Sequence, residues 1–332
     1  MKFGIRLIGY LGTIHELVRL AVLAEQAGFD YVWFPHDTFM ANTWVITSAV
    51  AAHTSRIQIG SVGTNPYTTT PSEVATYIAT LDELSHGRAV LGLGVHTDKM
   101  VEWTGISASD YMVRTREAVD IIRALLRGEV VAYQGEAFHW TGQCYLRFKP
   151  YRAALPIYVC AFGAQYLALS GAIGDGSLPM ITPPESAAYM VAEITAGARA
   201  AGRNPADVDI AGCGWLSLAE NRGDATEVLR RMISYFGPYL EAPALATIGL
   251  VPEDFRAISQ MVEEGRYDEA AGLVTDQMTD LAIRGTPQDI IRRIESIAAM
   301  GITQVSLGGP LGPDPAEAIR LMGEKVMPYF RS

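Results

Sequence analysis

Two kinds of hydrophobic pattern alternate along this chain of 332 residues. Short runs in which nearly every residue is apolar, such as residues 90–93, are typical of parallel strands that are buried on both faces. Between these runs, apolar residues recur at helical spacing, as Leu17, Leu20 and Leu23 do within residues 15–27. This alternation predicts a sheet of parallel strands connected by helices.

The pattern contains eight predicted strands with helices between them. The strands are predicted at residues 3–8, 31–34, 57–60, 89–93, 156–160, 177–181, 208–218 and 303–307, and the helices at 15–27, 44–52, 72–84, 111–126, 165–173, 184–201, 225–235, 287–300 and 315–327. Eight such units predict a (β/α)8 TIM barrel. The rival fold, an open doubly wound sheet, carries a Gly-rich phosphate loop directly after its first strand, and residues 8–12 lack the full spacing of that loop.

Two insertions interrupt the alternation, near residues 130–150 and 238–275. The first alternates in polarity and contains Gly135 and Gly142, which predicts a small β excursion. The second contains Pro243, Pro252 and short helical stretches. Long insertions in barrels usually build walls and lids over the active site. Because the sequence contains no linker or internal repeat, we expect residues 1–332 to form a single barrel domain with these insertions.

Composition and charge narrow the class of partner. A formal charge of −10 argues against a nucleic-acid surface, which needs clustered Lys and Arg. No apolar run is long and uncharged enough to span a bilayer. The three cysteines, Cys144, Cys160 and Cys213, are widely spaced and are typical of reduced, buried thiols. We therefore expect a cytoplasmic protein that acts on a small-molecule substrate, as a homodimer or a higher homo-oligomer, and that binds neither nucleic acid nor a membrane.

The run from Ser61 to Thr68 interrupts the pattern of its strand. Gly63 and Pro66 both weaken strand pairing, and glycine lets a flat ligand approach the backbone closely. A bulge at a barrel rim often re-aims groups toward an active site. The local alternative is an ordinary strand-to-helix loop. Local grounds leave both interpretations open, and in the first of them Ser61, Val62, Gly63, Thr64 and Asn65 bind a planar cofactor.

His36 and Asp37 directly follow the second predicted strand, at the rim where barrel enzymes place catalytic groups. Histidine is the usual general acid or base near neutral pH, and the adjacent carboxylate is expected to raise its pKa. In the alternative interpretation, Asp37 caps the next turn or helix and His36 is a surface residue. We predict catalytic roles for both residues.

Asp98 follows the fourth predicted strand, together with His96 and Thr97. A carboxylate at this rim position can act as a base or hold a polar substrate, whereas the alternative is a helix cap paired with Lys99. We predict that Asp98 is catalytic, that His96 contacts the cofactor and that Thr97 contacts the substrate. Arg6 lies in an otherwise apolar strand and must find a partner, because an unpaired buried charge is costly.

The sequence lacks the signatures of several other enzyme classes. The six histidines show no metal-ligand spacing, and no nucleophile elbow or Walker loop is present. We therefore predict no metal site.

The pattern Gly-Thr-Asn-Pro-Tyr-Thr-x-x-Pro at residues 63–71 resembles the luciferase-like flavin and deazaflavin enzymes, and within them most of all the methylenetetrahydromethanopterin reductases. Further matches follow in the expected order. They are Gly87-Arg88, residues 91–94, Asp98-Lys99, and residues 174–176, 275–278, 285–287 and 308–314. The resemblance therefore spans almost the whole chain.

The resemblance implies an oxidoreductase that binds coenzyme F420, a deazaflavin, and transfers a hydride between it and a small organic substrate. It also implies a non-prolyl cis peptide in the bulge near Val62 and Gly63, an active-site role for Asp98, and a coenzyme phosphate beside Gly163, Ala164 and Gln165. The family has a glutamate at the position that Arg6 occupies in this chain. We assign Arg6 to the binding of the substrate. Two alternatives are an FMN-dependent luciferase-like monooxygenase and a non-catalytic barrel that binds deazaflavin or folate.

Overall fold

The computed structural model describes residues 1–37, 39–94 and 103–331. The strands of this part of the chain are β1 (Lys2–Arg6), β2 (Tyr31–Pro35), β3 (Gln58–Val62), β4 (Ala89–Leu93), β5 (Val131–Gln134), β6 (His139–Cys144), β7 (Ile157–Val159), β8 (Gly176–Ser177), β9 (Asp209–Leu218), β10 (Ile283–Gly285) and β11 (Gln304–Leu311). Eight of them pair in parallel in the order β1-β2-β3-β4-β7-β8-β9-β11, and β11 pairs with β1. The sheet therefore closes, and the prediction of a (β/α)8 barrel is confirmed.

The helices follow the strands as the sequence predicts. They are α1 (Ile14–Ala27), α2 (Thr43–His53), α3 (Pro71–Leu84), α4 (Tyr111–Leu126), α5 (Ala164–Ile173), α6 (Ala187–Ala200), α7 (Arg222–Phe236), α8 (Ala242–Ala246), α9 (Arg256–Glu263), α10 (Tyr267–Gly272), α11 (Pro287–Ala299) and α12 (Pro315–Leu321). Local signals fix their ends: Thr13 and Glu16 form a capping box at the start of α1, and Gly28 ends that helix with φ of 96°. None of the helices described is long and apolar enough to cross a membrane.

Trp33 fills the centre of the barrel. Its ring is fully buried, stacks on Tyr31 at a centroid distance of 5.4 Å and meets Tyr158 edge-on at 5.3 Å. The strands on either side carry glycines at this level. A Cβ atom on Gly4 would lie 2.8 Å from Trp33 Nε1, and one on Gly60 would lie 2.1 Å from Trp33 Cε3. Two glycines therefore leave the space that one large ring occupies.

The first predicted insertion is a two-stranded antiparallel hairpin formed by β5 and β6. The carboxylate of Glu117 in α4 accepts hydrogen bonds from the backbone N–H groups of Glu136, Ala137 and Phe138 at the turn. Near the start of α4, the guanidinium of Arg114 lies 4.5 Å from the ring of Tyr67 and 5.1 Å from that of Phe138. The hairpin is thus fastened to the segment that follows β3.

The second insertion contains the short helices α8, α9 and α10, and it is followed by a strand that the sequence pattern did not predict. That strand, β10, pairs with Leu216–Leu218 at the carboxyl end of β9, so the insertion lies on the rim side of the barrel. Its apolar side chains form a cluster that also includes Leu229 and Met232 of α7. We propose on this basis that the insertion and the barrel fold as one domain.

The structure corrects the bounds of several predicted elements, and two examples show how. The sixth barrel strand, predicted at residues 177–181, is the two-residue β8, followed by an isolated bridge between Met180 and Cys213. The final helix, predicted to reach Met327, ends as an α-helix at Leu321 and continues as a π-helical turn, Met322–Val326.

Candidate active site

The carboxyl ends of β2, β3 and β7 bring three of the predicted segments into contact. The backbone N–H of His36 donates to the carbonyl of Val62 at 2.8 Å. The N–H of Gly63 donates to Cys160 Sγ at 3.1 Å. Parallel strands place all their carboxyl ends at one rim of a barrel, where enzymes of this architecture hold their active sites. The candidate site therefore lies at this rim.

Gly63 interrupts the pairing of its strand. Strand β3 ends at Val62, Gly63 adopts a φ of 72°, and pairing resumes at Thr64, which forms a bridge with Leu93. This agrees with the predicted irregularity. The predicted non-prolyl cis peptide is wrong, because the cis bonds of residues 1–37, 39–94 and 103–331 are Thr182–Pro183 and Gly309–Pro310. A glycine at positive φ redirects the chain without one.

The polar side chains of residues 61–68 stabilise the loop after β3 through hydrogen bonds within the protein. Ser61, Thr64 and Asn65 are buried. Thr64 Oγ1 donates to Ser61 Oγ at 2.9 Å, and Ser61 Oγ accepts the N–H of Gly92 at 3.3 Å. Asn65 Oδ1 accepts the N–H of Thr68 at 2.9 Å. Gly63, which lies between these side chains, is itself buried, and its N–H is bonded to Cys160 Sγ.

His36 is half-buried beside Trp44, with ring centroids 5.9 Å apart, and its Nδ1 atom is buried without a hydrogen-bond partner. Burial lowers the pKa of His36, and the opposing effects of its backbone hydrogen bond and of the charge on Asp37 are smaller. Asp37 acts to raise this pKa as expected, but desolvation of the imidazolium outweighs the nearby carboxylate, so the net shift of the pKa is downward. A neutral imidazole with an unused nitrogen is suited to accept or share a proton.

We expect the buried His36 to make the fold sensitive to mild acid. The histidine of the unfolded chain has a pKa of about 6.5, so between that value and the lower pKa of the folded protein the unfolded state binds more protons. Stability should then fall as the pH drops through this interval. Melting temperatures measured from pH 8 to pH 5 should fall less for His36→Gln than for the wild type. The matched control is His139→Gln, because His139 is exposed, and it should follow the wild type. Parallel curves for all three proteins would contradict the assignment.

Asp37 takes part in a local turn. Its Oδ1 atom accepts the N–H of Phe39 at 3.1 Å, as expected for the capping alternative. The ring of Phe39 is 64% exposed and lies 6.3 Å from that of Trp103, which is 70% exposed. Exposed aromatic pairs at a rim are suited to cover a planar ligand or an apolar substrate.

Gly163, Ala164 and Gln165 lie at the start of α5. Gly163 is the N-cap with φ of 68°, and no side chain caps this helix. Asn42, Thr70 and Asp314 cap α2, α3 and α12 with their side chains. Ala164 and Gln165 are exposed, and a Cβ on Gly163 would meet no protein atom within 4 Å. This helix start is thus open to an anion from solvent.

Arg6 ends β1 and points into the barrel, where it is 8% exposed. Its Nη2 donates to the carbonyl of Gly214 at 2.9 Å, and its Nε is buried without a partner. The sequence predicts that this charge has a partner. Among the residues described, the partner is only a backbone carbonyl. Asp98, His96 and Thr97 lie outside those residues, and their predicted roles stay predictions.

Cys160 is a site residue that the sequence analysis missed, because its spacing indicated only a buried thiol. Its sulfur accepts the N–H of Gly63 and thereby links β7 to the break in β3. Burial raises the pKa of the Cys160 thiol, so the sulfur is protonated at neutral pH. Its place directly before the Gly163 loop was the only available signal. In the part of the chain that the structure describes, no three His, Cys, Asp or Glu side chains are grouped as metal ligands would be.

Comparison with known proteins assigns the chain to a family. The sequence profile of the luciferase-like monooxygenases matches residues 1–304. A 5,10-methylenetetrahydromethanopterin reductase from Archaeoglobus fulgidus is 34% identical, with 100% of both chains covered. The same enzyme from Methanolobus tindarius is 32% identical over 98% of this chain and 100% of its own.

A solved structure gives the same result. The coenzyme F420-dependent tetrahydromethanopterin reductase from Methanopyrus kandleri superimposes with a TM-score of 0.94 at 28% identity, covering 99% of each chain. The resemblance inferred from the motifs is thereby confirmed, and the chain belongs to the luciferase-like monooxygenase family.

Proposed function

We propose that this protein is a coenzyme F420-dependent oxidoreductase that transfers a hydride between the deazaflavin and a small organic substrate. The observation that carries the proposal is the match over the full chain, in sequence and in fold, to reductases of which one is F420-dependent by name. A methylenetetrahydromethanopterin-reductase-like activity is the most direct form of this function.

The residues of the rim fit such a coenzyme. The backbone break at the buried Gly63 has no side chain that would obstruct a planar ring, and the uncapped start of α5 offers N–H donors for a phosphate. When bound, the deazaflavin supplies the hydride chemistry, and the protein contributes orientation and electrostatics. His36, with its neutral ring and unused Nδ1, is placed to hold a proton near this break, and we retain Asp98 and Asp37 as further candidates for proton handling.

Titration of the purified protein with each coenzyme tests the proposal. We expect F420 to bind more tightly than FMN, measured by quenching of coenzyme fluorescence. Binding of FMN at least as tight as that of F420 would instead favour the FMN-dependent monooxygenase of the same family. Tight F420 binding without single-turnover hydride transfer to any acceptor, including methylenetetrahydromethanopterin, would favour the non-catalytic barrel.

A pair of substitutions at the start of α5 tests the phosphate position. Gly163→Val should weaken F420 binding strongly, since a branched side chain crowds the open N–H donors and is strained at φ of 68°. Gln165→Ala should weaken it only mildly, because the backbone holds the phosphate. Equilibrium titration measures both.

The matched control for the backbone strain of Gly163→Val is Gly202→Val. Gly202 also has positive φ, 73°, and a Cβ there would likewise meet no protein atom within 4 Å, but this glycine follows α6 at the opposite end of the barrel. The variant should lose a similar amount of stability and keep its affinity for F420. Equal small effects of Gly163→Val and Gln165→Ala on affinity would move the phosphate site elsewhere.

We further propose a cytoplasmic homodimer or higher homo-oligomer. Tyr235 at the end of α7 and Tyr239 at the start of the second insertion are 50% and 71% exposed, and tyrosine is enriched where proteins associate. Light scattering coupled to gel filtration measures the assembly.

A further inference from the structure

Two arginines of this barrel are equally buried but are held very differently. Arg88 is 7% exposed and Arg6 is 8% exposed. Arg88 makes five hydrogen bonds of 2.7–3.1 Å, to Ser85, Thr54, Ile57 and Ala51. A guanidinium has five N–H donors, so Arg88 is saturated. It is a structural arginine that ties α2 to the start of β4.

Among the described residues, Arg6 uses only one of the five N–H donors of its guanidinium. The bond from Nη2 to the carbonyl of Gly214 is its one hydrogen bond in the part of the chain described, and Nε is buried without a partner. No carboxylate of those residues forms an ion pair with it. Burying a cation in this state is costly, because neither its charge nor its donors are compensated.

Among residues 1–37, 39–94 and 103–331, the neighbours of Arg6 do not supply a negative charge. Cys160 and Cys213 lie within electrostatic reach of it, but burial raises the pKa of both thiols and keeps them neutral. Gly308 faces Arg6 across the β1–β11 pair, and a Cβ there would lie 2.6 Å from Arg6 Nη2. The barrel wall is therefore shaped around the guanidinium, although nothing in that wall neutralises it.

The position of Arg6 connects it to the rim. The charge of Arg6 acts on Cys160, whose sulfur in turn accepts the N–H of Gly63. On another side, Tyr10 lies within electrostatic reach of Arg6, and a Cβ on Gly309 would come 2.4 Å from the Tyr10 hydroxyl. Tyr10 is 50% exposed, so its side chain reaches from this region to the surface.

We propose that Arg6 forms an anion subsite beside the backbone break at Gly63 and binds a carboxylate group of the substrate. The inference rests on the proposed function and names its substrate class: an acceptor or donor of hydride that carries a carboxylate. A carboxylate accepts two parallel N–H bonds from a guanidinium, so it satisfies the unused donors and the charge together.

The first test uses the protein without coenzyme and is independent of the proposed function. Butyrate at constant ionic strength should raise the melting temperature of the wild type, and the neutral isostere butyramide should not. Calorimetric titration with butyrate should give an affinity that falls about 10–100-fold in Arg6→Met, since charge-assisted hydrogen bonds are lost. Arg6→Lys keeps the positive charge but loses the paired N–H donors of the guanidinium. Its affinity for butyrate should therefore lie between those of the wild type and Arg6→Met. Arg256→Met, on an exposed arginine of α9, removes the same charge elsewhere and should behave as the wild type.

The second test separates a functional arginine from a structural one. Because the charge of Arg6 is uncompensated, ligand-free Arg6→Met should melt at the same temperature as the wild type or above it. A lower melting temperature together with no butyrate effect in the wild type would mean that the chain supplies its own counter-ion, and would overturn the proposal.

Coenzyme titration completes the design. Arg6→Met should keep the F420 affinity of the wild type, because the subsite serves the substrate. If the variant loses F420 affinity, the anion that Arg6 binds belongs to the coenzyme, and the substrate assignment is wrong. If neither protein binds F420 but butyrate binding still depends on Arg6, then the proposed function fails while the anion subsite stands.

Discussion

Replacing Trp33 with alanine should destabilise the barrel by about 3–5 kcal/mol, the cost of removing a fully buried aromatic ring. The ring contacts Tyr31 and Tyr158 and fills the space left by Gly4 and Gly60. No neighbouring backbone can move in to close the cavity, because hydrogen bonds around a closed barrel fix the distances between the strands. Guanidinium unfolding of the two proteins, followed by circular dichroism, measures the difference in the free energy of unfolding.

A reciprocal change at Gly60 controls for this interpretation. Gly60→Ala alone should cost about 1–3 kcal/mol, because its Cβ would lie 2.1 Å from Trp33 Cε3 and the ring would have to move. Combined with Trp33→Leu, the same alanine should cost less, since the smaller side chain leaves room for it. Strictly additive free energies would show that the ring and the glycine do not share one space.

Replacing Asp98 with asparagine should lower the rate of hydride transfer by about 10²–10⁴-fold, the range of general acid–base contributions. Asp98 follows β4 in the sequence, and the family resemblance assigns this position to the active site. Transferring a proton and holding a polar substrate both need the charge that asparagine lacks. Single-turnover transfer from F420, with F420 affinity measured in parallel, should show a larger loss in rate than in affinity.

The competing role for Asp98 is a helix cap, and Asp314 supplies the benchmark. Asp314 caps α12, where its Oδ1 accepts the N–H of Ala316 at 2.8 Å. Asp314→Ala should cost about 1 kcal/mol of stability, as cap removal does, with kinetics nearly intact. If Asp98→Asn showed this same profile, Asp98 would not belong to the active site, and the proton role would pass to His36 or Asp37.

The hydrophobic pattern predicted the barrel well because strands buried on both faces differ sharply from helices with one apolar face. The predictions at residues 89–93 and 111–126 match β4 and α4 residue for residue. The strand β10 could not be predicted, because three residues, Ile283–Gly285, are too few to show a period. The length of β8, which has two residues, was overestimated, because the apolar residues after it are buried but do not pair continuously with a neighbouring strand.

The candidate site was predictable where it depends on strand ends and less so where it depends on neighbours across the barrel. His36, Gly63 and Gly163 follow their strands as the sequence indicates. The hydrogen bond from the N–H of Gly63 to the sulfur of Cys160 joins residues that are 97 positions apart, and no local sequence pattern predicts such a contact. The net direction of the His36 pKa shift was missed for the same reason: the adjacent Asp37 is visible in the sequence, whereas the burial that outweighs it is not.

The missing side chain at Gly308 has a consequence for how related sequences are sorted. Because a Cβ at this position would lie 2.6 Å from the guanidinium of Arg6, a larger residue there requires the arginine side chain to move. We therefore expect homologues with arginine at the first position to favour glycine at the second, whereas those with a shorter residue at the end of β1 are free of that preference. The pair Arg6–Gly308 is therefore a two-letter covariation marker, readable in an alignment, that separates a subgroup built around an inward-facing cation from the rest of the family.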